Sequence, residues 1–193
     1  MRRYSLRSGS LANMQLRDFT LNAPAAGEVQ VAVKAIGLNF ADVFAIWGLY
    51  KAAPKDEYTP GLEYAGVVTA VGAGISHLKT GDRVMGVTRF GGYTTDLNID
   101  ARYVIPLPSD WDFHTGAAYL VQTLTAYYGL CFLGNVQKGQ AVLIHSVAGG
   151  VGLQALKIAR ALDCYVVGTV GNASKVDLAK STGCDSVLVR GGD

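Results

Sequence analysis

The front of the chain, to about residue 110, carries short runs of strand-forming residues rather than long helical patterns. These runs are Val29–Ile36, Tyr64–Val71, Arg83–Val87 and Tyr103–Leu107, and Gly, Pro and Asp separate them. Short strands at this spacing, bounded by turn-forming residues, are typical of a small β-barrel. The pattern therefore predicts a β-rich front domain.

A helical period replaces this pattern in the middle of the chain. Apolar residues recur at helical intervals from Phe113 to about Leu133, which predicts one long helix that bridges two domains. Pro and Asp residues interrupt the chain just before it, over Pro106–Asp112. We therefore predict a front domain over residues 1–112 and a second domain over residues 113–193.

The second domain contains a strand, a glycine turn, an apolar helix and another strand, in that order. The strands are Ala141–Ile144 and Cys164–Val170, and the helix has apolar residues at helical spacing from Leu153 to Leu162. This order is the first βαβ unit of a Rossmann dinucleotide-binding domain, whose helix N-terminus binds the pyrophosphate. The residues predicted to form the phosphate-binding turn are Ala148, Gly149, Gly150, Val151 and Gly152.

The turn departs from the usual G-x-G-x-x-G pattern, because Val147 stands at the position of its first glycine. A plain glycine turn between two apolar elements is the alternative interpretation. The strand before the turn and the helix and strand after it favour nucleotide binding.

The segment after the second strand predicts NADPH rather than NADH. NAD-binding domains usually carry Asp or Glu there to bind the ribose hydroxyls, but no acid occurs between Gly168 and Lys175. Gly168 leaves room, Ser174 offers a hydroxyl and Lys175 a positive charge for the 2′-phosphate. Arg190, after a third strand at Ser186–Val189, is a further candidate for the adenosine side. The alternative for Lys175 is a solvated residue in the first turn of a helix.

Composition excludes several classes of function. The 193 residues are 50% hydrophobic and 17% charged with a net charge of +2, which fits a globular protein and gives no basic run for nucleic acid. Cys131, Cys164 and Cys184 fit neither a metal site nor a disulfide framework and indicate a reducing compartment. Neither a signal peptide nor a membrane span is visible in the sequence, so we expect a cytoplasmic protein.

Five short motifs follow one another along the chain: Gly37–Asp42, Pro60–Val68, Val71-Gly72, Gly81–Val84 and Ala148–Gly152. In this order they resemble the medium-chain dehydrogenase/reductases. Within that family, the residues from Asn39 to Tyr50 and the Ala148–Gly152 turn are similar to the quinone oxidoreductase (zeta-crystallin-like) branch and, as closely, to the vesicle amine transport protein branch. The resemblance implies an α/β fold with a GroES-like β-barrel in front of the first half of a Rossmann domain.

The resemblance also implies chemistry without zinc. In zinc alcohol dehydrogenases, Cys and His occupy the positions of Asn39 and Leu62, and neither residue present here is a zinc ligand. The four-cysteine zinc lobe of those enzymes is replaced by Arg89–Tyr93. We therefore expect no metal, and hydride transfer from NADPH to acceptors that are already electron-poor, namely quinones or enones.

Site roles follow from the same resemblance. The residues matching Asn39 and Tyr50 face the nicotinamide and the acceptor, where Asn39 forms a hydrogen bond and the Tyr50 phenol binds the acceptor oxygen or donates a proton. Thr125 matches a threonine near the nicotinamide. The alternatives are that Asn39 caps or braces a turn beside Asp42, that Tyr50 packs at a rim, and that Thr125 is an ordinary helix residue.

Family members carry a larger nucleotide domain than the three strands predicted here. We therefore expect this chain to be a fragment or truncated product, and the full-length form to be a homodimer. The leading hypothesis is an NADPH-dependent quinone or enone reductase. The alternatives are an enoyl thioester reductase and a non-catalytic relative with a binding or structural role.

Overall fold

The structure is a computed structural model and describes residues 1–191. The chain divides into two compact units, Met1–Val121 and Gln122–Asp193, which are described separately. The boundary predicted at Pro106–Asp112 lies upstream of this division, because the helix that follows packs within the first unit. There, Ala117 is fully buried in a cluster with Ala65, Met85 and Leu107.

Strands dominate the first unit. In chain order they are β1 (Arg2–Ser5), β2 (Gln15–Asp18), β3 (Glu28–Ile36), β4 (Glu63–Val71), β5 (Arg83–Val87), β6 (Asp96–Asp100) and β7 (Val104–Pro106). Five form an antiparallel sheet in the order β6-β3-β4-β5-β7, and β1 pairs with β2. The helices of this unit are α1 (Phe40–Ile46), between β3 and β4, and α2 (Phe113–Ala117), after β7.

Alternation along the strands builds the core of the first unit. Val29 and Val31 of β3 are fully buried, as expected for side chains that share one face of a strand. They pack with Tyr64, Val68 and other buried residues in one cluster. The Tyr64 hydroxyl is buried and has no hydrogen-bond partner among the residues described. The Tyr64 ring is therefore held in this cluster by packing rather than by a hydrogen bond of its hydroxyl.

The prediction of one continuous helix from Phe113 to Leu133 is wrong, because the structure divides this range into separate elements. After α2 the backbone leaves helical geometry at Ala118, with φ −103° and ψ 17°. A new helix, α3, covers Leu120–Tyr127, and a π-helical turn covers Tyr128–Leu133. The break frees backbone N–H groups at the start of α3, and a buried carboxylate described below binds one of them. Periodicity could not reveal the break, because apolar residues continue through it.

The second unit contains the predicted βαβ unit. Its elements after α3 are β8 (Ala141–Ile144), α4 (Gly150–Ala161), β9 (Tyr165–Val170), α5 (Val176–Ser181) and β10 (Ser186–Val189). The three strands form a parallel sheet in the order β10-β9-β8. The strand ranges predicted for β8 and β10 are confirmed, and β9 begins one residue later than predicted.

Helix α4 covers the sheet of the second unit through its apolar side. Leu156 and Ala159 are fully buried, as are Val147 and Val166, and all four belong to one cluster. The expected fold class is therefore confirmed: an α/β chain whose β-rich front part precedes half of a dinucleotide-binding sheet. Within residues 1–191, every helix is too short or too polar to cross a lipid bilayer.

Candidate functional site

Asn39 begins α1 and is held there through its backbone. As the N-cap residue it has extended dihedrals, φ −118° and ψ 149°, and its N–H donates to Oδ2 of Asp42 at 2.8 Å. This bond is one half of a capping interaction, in which a residue of the first turn returns to the N-cap. Asn39 and Asp42 thus have the arrangement of a capping box, in which the hydrogen bonds run through the Asn39 backbone. The Asn39 side chain has its hydrogen bond with a different partner.

The Asn39 side chain binds a buried glutamate. Its Nδ2 donates to Oε1 of Glu63 at 2.9 Å, and Glu63 at the start of β4 is only 1% exposed. The other carboxylate oxygen of Glu63, Oε2, accepts from the backbone N–H of Val121 at 2.9 Å. Gly37 makes room for this arrangement, because a Cβ there would collide with the Ala117 carbonyl oxygen and with Glu63. One carboxylate therefore connects the start of α1 to the start of α3.

A second buried carboxylate lies next to this one. Asp42 is 3% exposed, and its Oδ2 accepts from the hydroxyl of Tyr93 at 2.9 Å as well as from Asn39. Burial raises the pKa of Asp42, although these hydrogen bonds oppose the rise. Burial together with the Asp42 charge raises the pKa of Tyr93 as well, so its phenol stays protonated and donates.

Burial also raises the pKa of Glu63. Hydrogen bonds from Val121 and Asn39 favour the ionised form, while the nearby Asp42 disfavours it. Two carboxyls in a low-dielectric interior bind protons more strongly than exposed carboxyls do. The first unit thus contains a polar cluster of Asn39, Asp42, Glu63 and Tyr93 within an otherwise apolar interior.

Tyr50 lies in the loop after α1 and is 39% exposed. Its ring packs edge-on against Phe90, with ring centroids 6.4 Å apart. It also lines a cavity of about 320 Å³ with Gly48, Lys51 and other loop residues. Tyr50 therefore packs at a rim, as the alternative interpretation of this residue expects, and its side chain is also partly accessible.

The glycine turn of the second unit leads directly into α4. Gly149 is the N-cap, and the helix begins at Gly150. A Cβ on Gly152 would collide with the Ser146 carbonyl oxygen and lie 2.7 Å from the Cα of Val147, so only glycine permits this close turn. The first N–H groups of α4 have no partner within the helix. Such a turn, with the positive end of the helix dipole, fits a dinucleotide phosphate.

Two cationic side chains follow the strands β9 and β10, at the same edge of the sheet as the glycine turn. Lys175 and Ser174 lie in an exposed 3₁₀ turn after β9, and the Ser174 N–H is taken by Oδ1 of Asn172 at 2.9 Å. Arg190 follows β10, and its Nη2 donates to Oγ of Ser146 at 3.2 Å. Because parallel strands place their carboxyl ends at one edge, this is where nucleotides bind in such sheets.

The structure places the two remaining candidates differently. Gly168 is buried within β9, where a Cβ would lie 2.8 Å from the Cys184 Sγ, so the core of the second unit fills the space around it. Thr125 is exposed on α3 and lines a cavity of about 500 Å³ with Leu124, Tyr127 and Tyr128.

Sequence reasoning missed several residues of these sites. Glu63 could have been recognised, because a charged residue at the start of the apolar strand β4 is unusual. In the sequence analysis it appeared only as a member of the Pro60–Val68 motif. Asp42 and Tyr93 are far apart in sequence, and Ser146 was overlooked inside the turn. Within residues 1–191, no group of three or more His, Cys, Asp or Glu side chains could hold a metal ion.

Comparison with known proteins agrees with this architecture. Residues 25–109 match the model of the alcohol dehydrogenase GroES-like domain. A quinone oxidoreductase from Escherichia coli, solved in complex with NADPH, superposes with a TM-score of 0.91 at 37% identity over 100% of this chain. The CurK enoyl reductase structure gives a TM-score of 0.91 at 32% identity over 99% of this chain.

The curated relatives point in the same direction. The synaptic vesicle membrane protein VAT-1 homolog of Rattus norvegicus is 41% identical over 170 residues, which is 88% of this chain. The chain spans 42% of that relative and 60% of each of the two solved chains. The expected GroES-like front domain is confirmed. The chain belongs to the medium-chain dehydrogenase/reductase superfamily, in the branch that contains the quinone oxidoreductases and the VAT-1 homologues.

Proposed function

We propose that this chain forms part of an NADPH-dependent oxidoreductase that reduces quinones or α,β-unsaturated carbonyls without zinc. The observation that carries the proposal is the glycine turn at the head of α4, with Lys175 and Arg190 at the same sheet edge. The turn can bind a pyrophosphate and the cations a 2′-phosphate. The solved relative complexed with NADPH supports this choice of cofactor.

NADPH supplies a hydride when it is bound. We propose that Asn39 and Tyr50 act at the reacting end, as their counterparts do in the family. Asn39 is suited to hold a polar group, because Glu63 fixes its side chain. Tyr50 is suited to bind an acceptor oxygen or to protonate it, because its phenol is partly exposed on a loop. Asn39 and Leu62 offer no zinc ligand, so the acceptor must already be electron-poor.

An enoyl thioester reductase is the second candidate, and the likeness to the CurK enoyl reductase favours it. Both reactions deliver hydride to a conjugated carbonyl system, so the residues described serve either one. They differ in the acceptor, which is a small quinone or enone in the first case and an acyl thioester in the second.

The test is a turnover assay on the natural protein that contains this chain, purified without added metal. NADPH consumption is measured with a simple quinone, an enone and an enoyl thioester, each with and without a chelator, beside elemental analysis for zinc. We expect turnover of the quinone or the enone, no effect of the chelator, and less than about 0.1 zinc per chain. Turnover of the thioester alone would establish the second candidate. About one zinc per chain, with loss of activity in chelator, would overturn the zinc-free proposal.

A matched pair of variants tests the role of Tyr50. Tyr50→Phe should lower kcat by about 10²-fold or more if the phenol donates a proton. Tyr4→Phe is the control, since Tyr4 is also 39% exposed but lies on β1. Equal activity of the two variants would remove Tyr50 from the chemistry.

A further inference from the structure

We propose that Glu63 is a positioning residue that fixes which end of the Asn39 amide faces the ligand, so that Asn39 presents its Oδ1 as a hydrogen-bond acceptor. The proposal rests on the proposed function, because it assigns a task to a residue placed at the reacting end. It adds the residue that controls Asn39 and the kind of ligand group that Asn39 can bind.

The argument begins with the donors around Glu63. The N–H of Val121 is a backbone group and can only donate, so the carboxylate oxygen Oε2 must accept from it. The remaining oxygen, Oε1, accepts from Nδ2 of Asn39. Donors that face both oxygens favour the ionised carboxylate over the protonated one. In that form Glu63 has no proton to give and requires a donor on each side. Consequently Nδ2 of Asn39 must point toward Glu63 and Oδ1 must point away.

The other end of the amide is available to a ligand. Asn39 is only partly buried, whereas Glu63 is almost completely buried. Asn39 pairs with Asp42 through its backbone N–H and carbonyl and with Glu63 through Nδ2. Its side chain takes part in a capping-box arrangement at the start of α1 but makes no hydrogen bond that caps the helix. The side chain therefore offers an acceptor that is fixed in direction.

The charge of residue 63, rather than its size, determines this direction. Glutamine has nearly the same shape but one acceptor oxygen, and the Val121 N–H would take it. The Gln Nε2 would then face Asn39, where two N–H groups cannot pair. The Asn39 amide would rotate so that Oδ1 accepts from residue 63, and its NH₂ group would face the ligand instead.

This polarity distinguishes cofactor from acceptor. The nicotinamide carboxamide and the ribose hydroxyls of NADPH carry hydrogen-bond donors, whereas a quinone carries only acceptor oxygens. An Oδ1 that points to the ligand therefore fits the cofactor. A site built to pair a donor rejects a group that cannot donate, because a buried acceptor would lose its partner.

The first test is a double-mutant cycle, measured as the Kd for NADPH on the natural protein that contains this chain. We expect Glu63→Gln to raise Kd about tenfold when Asn39 is present, and by less than about twofold in the Asn39→Ala background. Glu57→Gln, at an exposed site, is the control and should match the wild type. A Glu63→Gln effect of equal size in both backgrounds, or none in either, would overturn the proposal.

A swap of the two side chains provides the second test. In the double variant Asn39→Asp with Glu63→Gln, the Gln Nε2 can donate to one oxygen of the new carboxylate at position 39. The other oxygen of that carboxylate then faces the ligand as an acceptor. We expect this variant to bind NADPH at least about fivefold more tightly than Glu63→Gln alone. A purely structural role for Glu63 gives no such recovery, so weaker or equal binding would contradict the proposal.

A spectroscopic measurement separates this proposal from the proposed function. In protein labelled with ¹⁵N-asparagine, the Asn39 NH₂ pair is assigned by its loss in Asn39→Ala. One proton of the pair should be shifted downfield by Glu63 and slowed in exchange, and Glu63→Gln should abolish both effects. An unchanged pair overturns the proposal even if NADPH binds. The expected change in a protein that does not bind NADPH upholds the control of Asn39 by Glu63 and refutes the proposed function.

Discussion

At the scale of single residues, Lys175 is the residue to which we assign the proposed preference for NADPH. It is exposed at the end of the 3₁₀ turn that follows β9, and no acid lies between Gly168 and Lys175. A 2′-phosphate is the group that distinguishes NADPH from NADH, and a nearby ammonium group attracts it. The charge should therefore matter for one nucleotide and not for the other.

We predict that Lys175→Ala weakens NADPH binding by about 1–2 kcal/mol, the usual size of a charge-assisted hydrogen bond. Binding of NADH should change by less than about 0.5 kcal/mol. Titration of both nucleotides measures the difference. Lys180→Ala is the matched control, because Lys180 is an exposed lysine near the end of α5. An equal loss for NADPH and NADH would show that Lys175 acts on stability rather than on the phosphate.

At the scale of elements, the turn between β8 and α4 depends on one close approach. We predict that Gly152→Ala lowers the free energy of unfolding by about 1–3 kcal/mol, because the added methyl group has to displace the turn at Ser146 and Val147. It should also weaken NADPH binding, because the N–H groups at the start of α4 would move. Denaturant unfolding and nucleotide titration measure the two effects.

Gly129→Ala is the control for this variant. An added Cβ at Gly129 meets no atom within 4 Å, so its free energy of unfolding should change by less than about 1 kcal/mol. If Gly152→Ala were as stable as Gly129→Ala, the turn would tolerate a side chain and the close approach would not matter.

The sequence predicted those elements whose signal is local. The ranges of β5, β8 and β10 are confirmed to the residue, since each is a short apolar run bounded by turn residues. The break between α2 and α3 has no such signal, because apolar residues continue through it and the carboxylate that accepts from the Val121 N–H belongs to Glu63 on a different element, β4.

The candidate site is difficult to predict for the same reason, because its residues come from different elements. Asn39 was identified from a motif, but its partner Glu63 lies on another element, and a single sequence does not reveal which residues face each other across a fold. The polar cluster with Asp42 and Tyr93 is likewise a product of the sheet and of α1. By contrast, the glycine turn could be read directly, because its residues are contiguous.

At the scale of the whole molecule, the carboxyl groups whose pKa is shifted form two sets with opposite effects on stability. Burial raises the pKa of Glu63 and Asp42, whereas hydrogen bonds lower the pKa of the exposed Glu57, Asp100 and Asp112. A raised carboxyl pKa stabilises the fold at low pH, and this contribution is lost as pH rises through the raised value. A lowered pKa stabilises the fold above the ordinary value, and this contribution is lost as pH falls through the lowered one.

We therefore predict that the free energy of unfolding decreases as pH rises above about 4, the ordinary carboxyl pKa, toward neutrality. Glu63→Gln should flatten this dependence, because a carboxamide does not titrate. Glu57→Gln should leave the slope in this window unchanged, since the lowered pKa of Glu57 acts at lower pH. Chemical denaturation at a series of pH values measures the slopes, and parallel curves for Glu63→Gln and wild type would contradict the prediction.

The unpaired hydroxyl of Tyr64 has a consequence for how this protein can change over generations. Its ring is fully buried against its neighbours, and among the residues described nothing bonds to its oxygen. Loss of that oxygen removes no hydrogen bond and relieves a buried polar group of its cost. Phenylalanine should therefore be accepted at this position, and descendants of the gene can exchange the two residues at little cost to the fold.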